Sequence, residues 1–209
     1  MKSKVTLLFV MAILISFLCD FKIVAPKSNF VCFAFHQGKY AQQEFEGFTR
    51  IPPSTWAQHK FDDLCKFANV NSKSIRFFCS PNLSNCAAGV RNGKYEILYG
   101  PDYLNELDAE AGGWGGFSVL AHELGHVVEG MSDSPYYDEQ KADEFSGYLM
   151  GLKGATLKEA RRAMELKGGA KDDAHADKID RLEYIRRGWL KGSYEKNTDN
   201  KYYVGSADR

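Results

Sequence analysis

Two histidines and one glutamate share the five-residue segment His122-Glu123-Leu124-Gly125-His126. In a helix, His122 and His126 point to the same side, because the helical period is 3.6 residues. Neutral imidazole nitrogens are good ligands for zinc. Glu123 lies about 100° further round the helix, where its carboxylate reaches a water molecule at the metal without ligating the metal. The segment therefore predicts an HExxH zinc site with Glu123 as general base.

A zinc site of this kind needs a third protein ligand, and the chain supplies acids downstream. Glu139 and Asp143 are four residues apart on one predicted helical face. Glu139 would complete a set of two histidines and one glutamate, which catalytic zinc sites use. Asp143 is expected to accept the second ring N–H of His122 and so fix its tautomer. If Glu139 is not the third ligand, Asp143 and Asp138 are the alternatives.

A histidine pair or an acidic pair on a helix is more often a core or surface feature than a metal site. Here residues 117–128 are otherwise almost wholly apolar, so a buried helix would carry three polar groups inside: His122, Glu123 and His126. Burying such groups without partners is costly. A shared metal ion accounts for both segments at once.

Residues 121–126 (AHELGH), followed by residues 139–147 (EQKADEFSG), resemble the gluzincin metallopeptidases, in particular M48-like exported bacterial peptidases. The third ligand of those proteins opens an ExxAD motif, which here runs from Glu139 to Asp143. The resemblance extends over residues 76–189. Within this range, the similar positions outside the two motifs are residues 85–88, 154–157, 175, 180–182 and 188–189.

The resemblance implies a zinc-dependent endopeptidase that hydrolyses peptide bonds with a metal-activated water. The expected fold class is α+β and zincin-like, with a small antiparallel β-sheet, a buried HExxH helix and a C-terminal helical part. His175 is the candidate oxyanion donor, with Tyr184 behind it. One departure concerns this residue, because Ala176 and Asp177 replace the two prolines that follow the corresponding histidine in the family.

Other classes of protein stay open. The main alternative is a catalytically inactive zinc-binding envelope protein that serves as a partner-binding module. Glu123 argues against it, because a purely structural site needs no base. A non-zinc hydrolase lacks a G-x-S-x-G element to support it, and an envelope interaction protein would make the HExxH segment accidental. Zinc content separates this last class from the zinc peptidase and from the inactive zinc-binding protein.

The N-terminal segment departs from the rest of the chain. Lys2 and Lys4 precede an apolar run over residues 5–18, which is shorter than the roughly twenty residues needed to span a bilayer. This pattern is typical of a secretory signal peptide. Small residues favour cleavage after Ala34, and Leu18 is too large for a lipoprotein signal at Cys19. The sequence therefore predicts an exported protein, periplasmic or secreted, with an uncleaved membrane anchor as the alternative.

Composition is typical of one globular domain, since the 209 residues are 44% hydrophobic and 26% charged. Basic and acidic residues number 27 each, which gives no reason to expect a nucleic-acid partner. The expected partner is a protein or peptide substrate, with membrane contact only through an uncleaved N-terminal segment. The predicted regions are a signal peptide or anchor (1–34), a linker (35–54), the metallopeptidase domain (55–192) and a flexible tail (193–209).

Hydrophobic periodicity and turn signals predict the elements that carry these residues. Asn92-Gly93 is a strong hairpin signal between two strands, and the second of these is expected to be a sheet edge to which a peptide could add. Thr55 with Gln58, and Thr156 with Glu159, resemble capping boxes. The predicted helices are 55–67, 117–128, 138–152, 156–166 and 177–190, with a helical turn at 101–107, and the predicted strands are 74–78, 87–91 and 94–99.

Export would permit disulfides among the cysteines of the mature domain. Cys79 and Cys86 flank a segment rich in turn formers, so a local bridge between them is expected, with Cys65 left over unless it pairs with one of the two. The alternative is three small buried hydrophobic residues.

Overall fold

The computed structural model describes residues 23, 31–33, 42–130, 135–168 and 177–204. The apolar run over residues 5–18, Cys19, Ala34 and His175 lie outside these ranges. The described strands are β1 (Val31–Phe33), β2 (Arg76–Cys79), β3 (Cys86–Arg91) and β4 (Lys94–Tyr99). The described helices are α1 (Gln42–Gly47), α2 (Thr55–Phe67), α3 (Pro101–Glu110), α4 (Gly115–Glu129), α5 (Pro135–Lys153), α6 (Leu157–Lys167) and α7 (Lys178–Val204).

The fold class is α+β, as predicted, and most of the described residues are helical. The four strands form one sheet in the order β1-β3-β4-β2. A tight hairpin joins β3 and β4, with Asn92 and Gly93 at φ 52° and 68°, which matches the hairpin turn that Asn-Gly favours. The sheet is small, but its pairing differs from the prediction.

The prediction of an antiparallel sheet is wrong for one of its three strand pairs. β1 and β4 run antiparallel to β3, whereas β2 runs parallel to β4. A tight hairpin forces neighbouring strands to be antiparallel, but a longer loop separates β2 from β3, so β4 returns between them. β4 is consequently an internal strand, and its predicted role as a free edge is wrong.

The expected disulfide between Cys79 and Cys86 is also wrong, since both thiols are free and buried. Each residue is paired in register with Tyr99, from opposite sides of β4. Two strand spacings separate their Cα atoms by about 10 Å, and a disulfide requires less than about 7 Å. Together with Cys65, they are the small buried hydrophobic residues of the alternative interpretation.

Of the two predicted capping boxes, one is present in the structure and the other is not. The capping box of Thr156 and Glu159 is confirmed at the start of α6. The box predicted for Thr55 and Gln58 is wrong, because Ser54 is the N-cap of α2 and its side chain accepts a hydrogen bond from the backbone N–H of Ala57. Both arrangements satisfy N–H groups that have no partner within the helix.

Helix α4 lies at the centre of the core. Every residue from Gly115 to Val127 is buried, as expected of a helix that is apolar on all sides. It packs against β3 and α5, and makes smaller contacts with β1 and β4. Its partner α5 runs antiparallel to it, because Ser118 contacts Ser146 near one end of the pair and His126 contacts Glu139 near the other.

A helix or a strand lies in three of the predicted regions outside the metallopeptidase domain. Strand β1 lies within the segment assigned to the signal peptide or anchor, and α1 lies within the assigned linker, where Phe45 is fully buried. The last helix was predicted to end near residue 190, but α7 continues to Val204, into the assigned flexible tail. None of the described helices combines the length and apolar character that a membrane crossing requires.

Candidate metal centre

The two histidines of α4 bring their Nε2 atoms to within 3.2 Å of each other. They are one helical turn apart and are buried completely, or almost so, with His122 at 0% and His126 at 1% exposure. Their rings meet edge to face. The helical period therefore delivers what the spacing predicts, which is two imidazole nitrogens directed at a single point.

The carboxylate of Glu139 reaches this point from α5. Its Oε2 is 3.3 Å from His122 Nε2, and its Oε1 is 3.1 Å from His126 Nε2. Ligands held at zinc–nitrogen distances of 2.0–2.1 Å in a tetrahedron lie about 3.3 Å from one another. The spacing of these side chains therefore fits a shared metal ion.

Cys32 is the fourth member of the cluster. Its Sγ lies 2.6 Å from Glu139 Oε1, and the four ligand atoms of Cys32, His122, His126 and Glu139 all lie within 4.8 Å of one another. All four residues are buried, and together they could hold a metal ion. Sequence reasoning missed Cys32 because it assigned that residue to a removable leader.

Asp143 lies behind the histidine pair, 3.0 Å from His122 Nδ1 through its Oδ1. This is the contact expected of it, one helical turn after Glu139 on the same face of α5. An acid at Nδ1 holds the ring proton on that nitrogen and leaves the Nε2 lone pair for a metal. Asp138, the other alternative ligand, is buried but does not belong to the four-residue cluster.

Arg181 of α7 holds both acids of α5. Its guanidinium donates to Asp143 from Nε at 2.7 Å and from Nη2 at 2.9 Å, and Nη2 also donates to Glu139 Oε2 at 3.0 Å. The residue is only 3% exposed. Sequence reasoning gave Arg181 no role, although a lone arginine next to Leu182 and Ile185 on the apolar face of a helix was a usable signal.

Electrostatics in the metal-free cluster favour a charged His122. Burial lowers the pKa of His122, but the carboxylates of Glu139 and Asp143 outweigh burial and raise it to about 10. Burial also lowers the pKa of His126, and Glu139 does not reverse that effect. Glu139 and Asp143 therefore favour the charged form of His122, whereas burial disfavours the charged form of His126.

The pKa values of the two acids are lowered, whereas the pKa of the thiol is raised. Burial raises the pKa of Glu139, but the two imidazoles outweigh burial and hold it well below the ordinary value. Burial likewise raises the pKa of Asp143, but the charge of Arg181 outweighs burial, and the pKa of Asp143 is lowered. Burial raises the pKa of the Cys32 thiol, and the charge of Glu139 adds to that effect. In the absence of a cation, Cys32 is a neutral donor to Glu139.

Glu123 is fully buried in α4, next to His122. Its charge raises the pKa of Cys32, although burial and Glu139 contribute more. It acts in the same direction on Cys86 and on Tyr103 of α3, where burial is again the larger cause. The charge of Glu123 therefore acts on the thiols of Cys32 and Cys86 and on the phenol of Tyr103.

Two further residues were predicted to act at the site, His175 and Tyr184. His175 falls in the range 169–176, outside the described residues. Tyr184 is half-buried on α7, and its ring packs under the guanidinium of Arg187 at 5.3 Å.

No model of a known protein family matches the chain, and neither curated proteins nor solved structures gave a match. Function must therefore be inferred from the cluster itself. Two features of the cluster bear on it: the ligand atoms that converge, and the carboxylate of Glu123 beside them.

Proposed function

We propose that this chain is a zinc-dependent endopeptidase with a zincin-like arrangement of its HExxH helix. The observation that carries the proposal is the convergence of His122 Nε2, His126 Nε2 and the Glu139 carboxylate from two packed helices. A base-type residue, Glu123, is buried beside them. A site that only bound metal would have no use for that carboxylate.

The chemistry of the donor set favours zinc. Two imidazoles, a carboxylate and a thiol are the nitrogen, oxygen and sulfur donors that zinc accepts, whereas calcium and magnesium prefer oxygen donors alone. When bound, zinc would lower the pKa of a water molecule to about 7 and polarise the carbonyl to be attacked.

Four residues of this chain would then have separate roles in the reaction. Glu123 takes a proton from the attacking water at its carboxylate and returns it to the leaving amine nitrogen. Asp143 keeps the proton of His122 on Nδ1, so that Nε2 is free to bind. Arg181 holds Asp143 and Glu139 in place through charge-assisted hydrogen bonds. His175 remains the candidate for the further donor to the oxyanion.

The proposed substrate is an extended segment of a protein or peptide. Its backbone would pair with a strand edge near the cluster, as peptides do when they add to a sheet. The signal-like N-terminus supports a location outside the cytoplasm, periplasmic or secreted, with a membrane tether if the segment is not cleaved.

A second candidate function is supported by Cys32. Structural zinc sites are closed by four protein ligands, whereas catalytic sites keep one position open. Because Cys32, His122, His126 and Glu139 form a group of four, the chain could instead be an inactive zinc-binding partner module. The two functions differ in whether Cys32 is a permanent ligand.

Cleavage of a denatured protein by the zinc-loaded chain tests the proposal. Wild type is compared with Glu123→Gln, and each is also prepared with Cys32→Ala so that the thiol is removed as a ligand. We expect Glu123→Gln to lower the rate about 100-fold or more while the bound zinc, measured by elemental analysis, stays at one per chain. Equal rates with and without Glu123 would defeat the peptidase proposal.

A further inference from the structure

Strand β1 occupies the outer edge of β3. It pairs antiparallel with β3, placing Cys32 opposite Ala88, with Val31 and Phe33 opposite Gly89 and Ala87. Since β4 covers the other side of β3, this is the only edge of β3 that another strand can use. β1 also contacts α4, the helix that carries both histidines.

The side chain of Cys32 points from this edge into the metal cluster. Its Sγ lies 2.6 Å from Glu139 Oε1, across 107 residues of sequence, and the residue is buried at 9% exposure. The pairing with β3 and the approach to Glu139 are separate observations. Together they place a backbone strand beside the ligands and a ligand-type atom among them.

We infer that β1 is an internal inhibitor, which fills the peptide-binding edge of β3 and supplies the Cys32 sulfur as fourth ligand to the metal. The inference rests on the proposed function and deepens it, because it assigns the substrate edge to β3. A substrate strand and β1 would need the same backbone N–H and C=O groups of β3. They are therefore mutually exclusive.

Ligation by Cys32 requires no oxidant. The thiol loses its S–H proton to solvent, and a sulfur lone pair forms the bond to the metal. Release reverses both changes, since the sulfur–metal bond breaks and the thiol regains a proton. The site then has the open position that a catalytic zinc needs.

The predicted cleavage after Ala34 gives this inhibitor a route of removal. A cut at that bond would end the covalent link between residues 31–33 and the rest of the chain, so that β1 can dissociate from β3 and take its sulfur ligand with it. The same event that releases an exported chain would thus open its site.

Cobalt substitution tests the ligand without measuring activity. Cobalt bound to thiolate has an intense near-ultraviolet charge-transfer band that nitrogen and oxygen ligands alone do not produce. Full-length wild type, Cys32→Ala and the control Cys65→Ala are loaded with one equivalent of Co²⁺. Cys65 suits the control because it is also a buried cysteine, on α2, and is not part of the cluster.

We expect the band in wild type and in Cys65→Ala, and its loss in Cys32→Ala with cobalt still bound. Absence of the band in wild type, or its persistence in Cys32→Ala, would overturn the inference. If Cys32→Ala does not fold, alkylation of wild type replaces it. Bound zinc should then slow modification of Cys32 about tenfold or more, and an unchanged rate counts against ligation.

Activity separates this inference from the peptidase proposal. If β1 inhibits, Cys32→Ala should cleave a denatured protein about tenfold faster than wild type, because the competent fraction rises, and Cys65→Ala should match wild type. Cleavage that depends on Glu123 but not on Cys32 would leave the peptidase standing and overturn the inhibitor. Loss of zinc together with activity in Cys32→Ala would also overturn it, in favour of a permanent ligand.

Discussion

The guanidinium of Arg181 grips the carboxylate of Asp143 with two hydrogen bonds, at 2.7 and 2.9 Å, inside the protein. Asp143 in turn lies 3.0 Å from His122 Nδ1. A chain of contacts therefore runs from α7 through α5 to the ring of His122 in α4. Arg181 of the C-terminal helix thus bonds both Glu139, a member of the four-residue cluster, and Asp143, which contacts His122.

Removing Arg181 should destabilise the protein. Arg181→Met leaves Asp143 and Glu139 buried without their cation, and breaking a buried pair from one side costs about 3–5 kcal/mol. Arg181→Lys should lose less stability, since lysine keeps the positive charge but cannot form the bidentate hydrogen bonds. Denaturant unfolding measures the free energy. The control Arg187→Met, whose side chain is 55% exposed, should stay within about 0.5 kcal/mol of wild type.

The two acids of α5 should differ in their effect on zinc affinity. Asp143→Asn should weaken binding about 10–100-fold, as loss of an orienting partner does. Glu139→Ala should weaken it further, because it removes a ligand atom. Competition with a chromophoric chelator gives both affinities. Asp138→Asn is the matched control, since Asp138 adjoins Glu139 but lies outside the cluster; equal affinity in Glu139→Ala and wild type would require another ligand.

A methyl group at Gly188 should disturb the site from a distance. It would collide with the backbone carbonyl oxygen of Glu144, one residue after Asp143, and so push α7 away from α5. Overpacking of this kind costs about 1–3 kcal/mol, so we expect Gly188→Ala to lower both stability and zinc affinity. Gly47→Ala is the control, because a Cβ there meets no atom within 4 Å. The unfolding temperatures of the two variants and of wild type, measured with and without zinc, test this expectation.

The metal-free chain should lose stability as the pH rises. The pKa of His122 is raised from 6.5 to about 10 in the folded chain, where Glu139 and Asp143 outweigh burial. A raised folded-state pKa contributes stability that is fully present below about pH 6.5 and is lost as the pH rises through about 10. Zinc binding should show the opposite trend, because the ring must be neutral to bind.

Unfolding of the chelator-treated chain between pH 6 and 8 checks this sign, because the buried thiols of Cys32, Cys65 and Cys86, whose pKa values are also raised, add a decline of the same sign only at higher pH. His122→Gln should remove most of the decline, since it removes the titrating group. A metal-free stability that rises over the same interval would show that the ring is neutral in the folded chain.

Features that depend on neighbours in sequence could be predicted. Helix α2 has the bounds expected from its apolar spacing, the turn at Asn92-Gly93 joins the strands it was expected to join, and Thr156 caps α6 with Glu159. The approach of His122 to His126 belongs to the same group. In each case the interacting residues are a few positions apart, so backbone geometry alone brings them together.

Features that join distant segments were decided by the tertiary structure. Cys32 meets Glu139 across 107 residues, and Arg181 meets Asp143 across 38. The parallel pairing of β2 with β4 separates Cys79 from Cys86 and makes β4 internal. No local pattern encodes such contacts, because they follow from how the helices and the sheet bury their apolar faces together. A charged or thiol side chain acquires its role only when that packing supplies its partner.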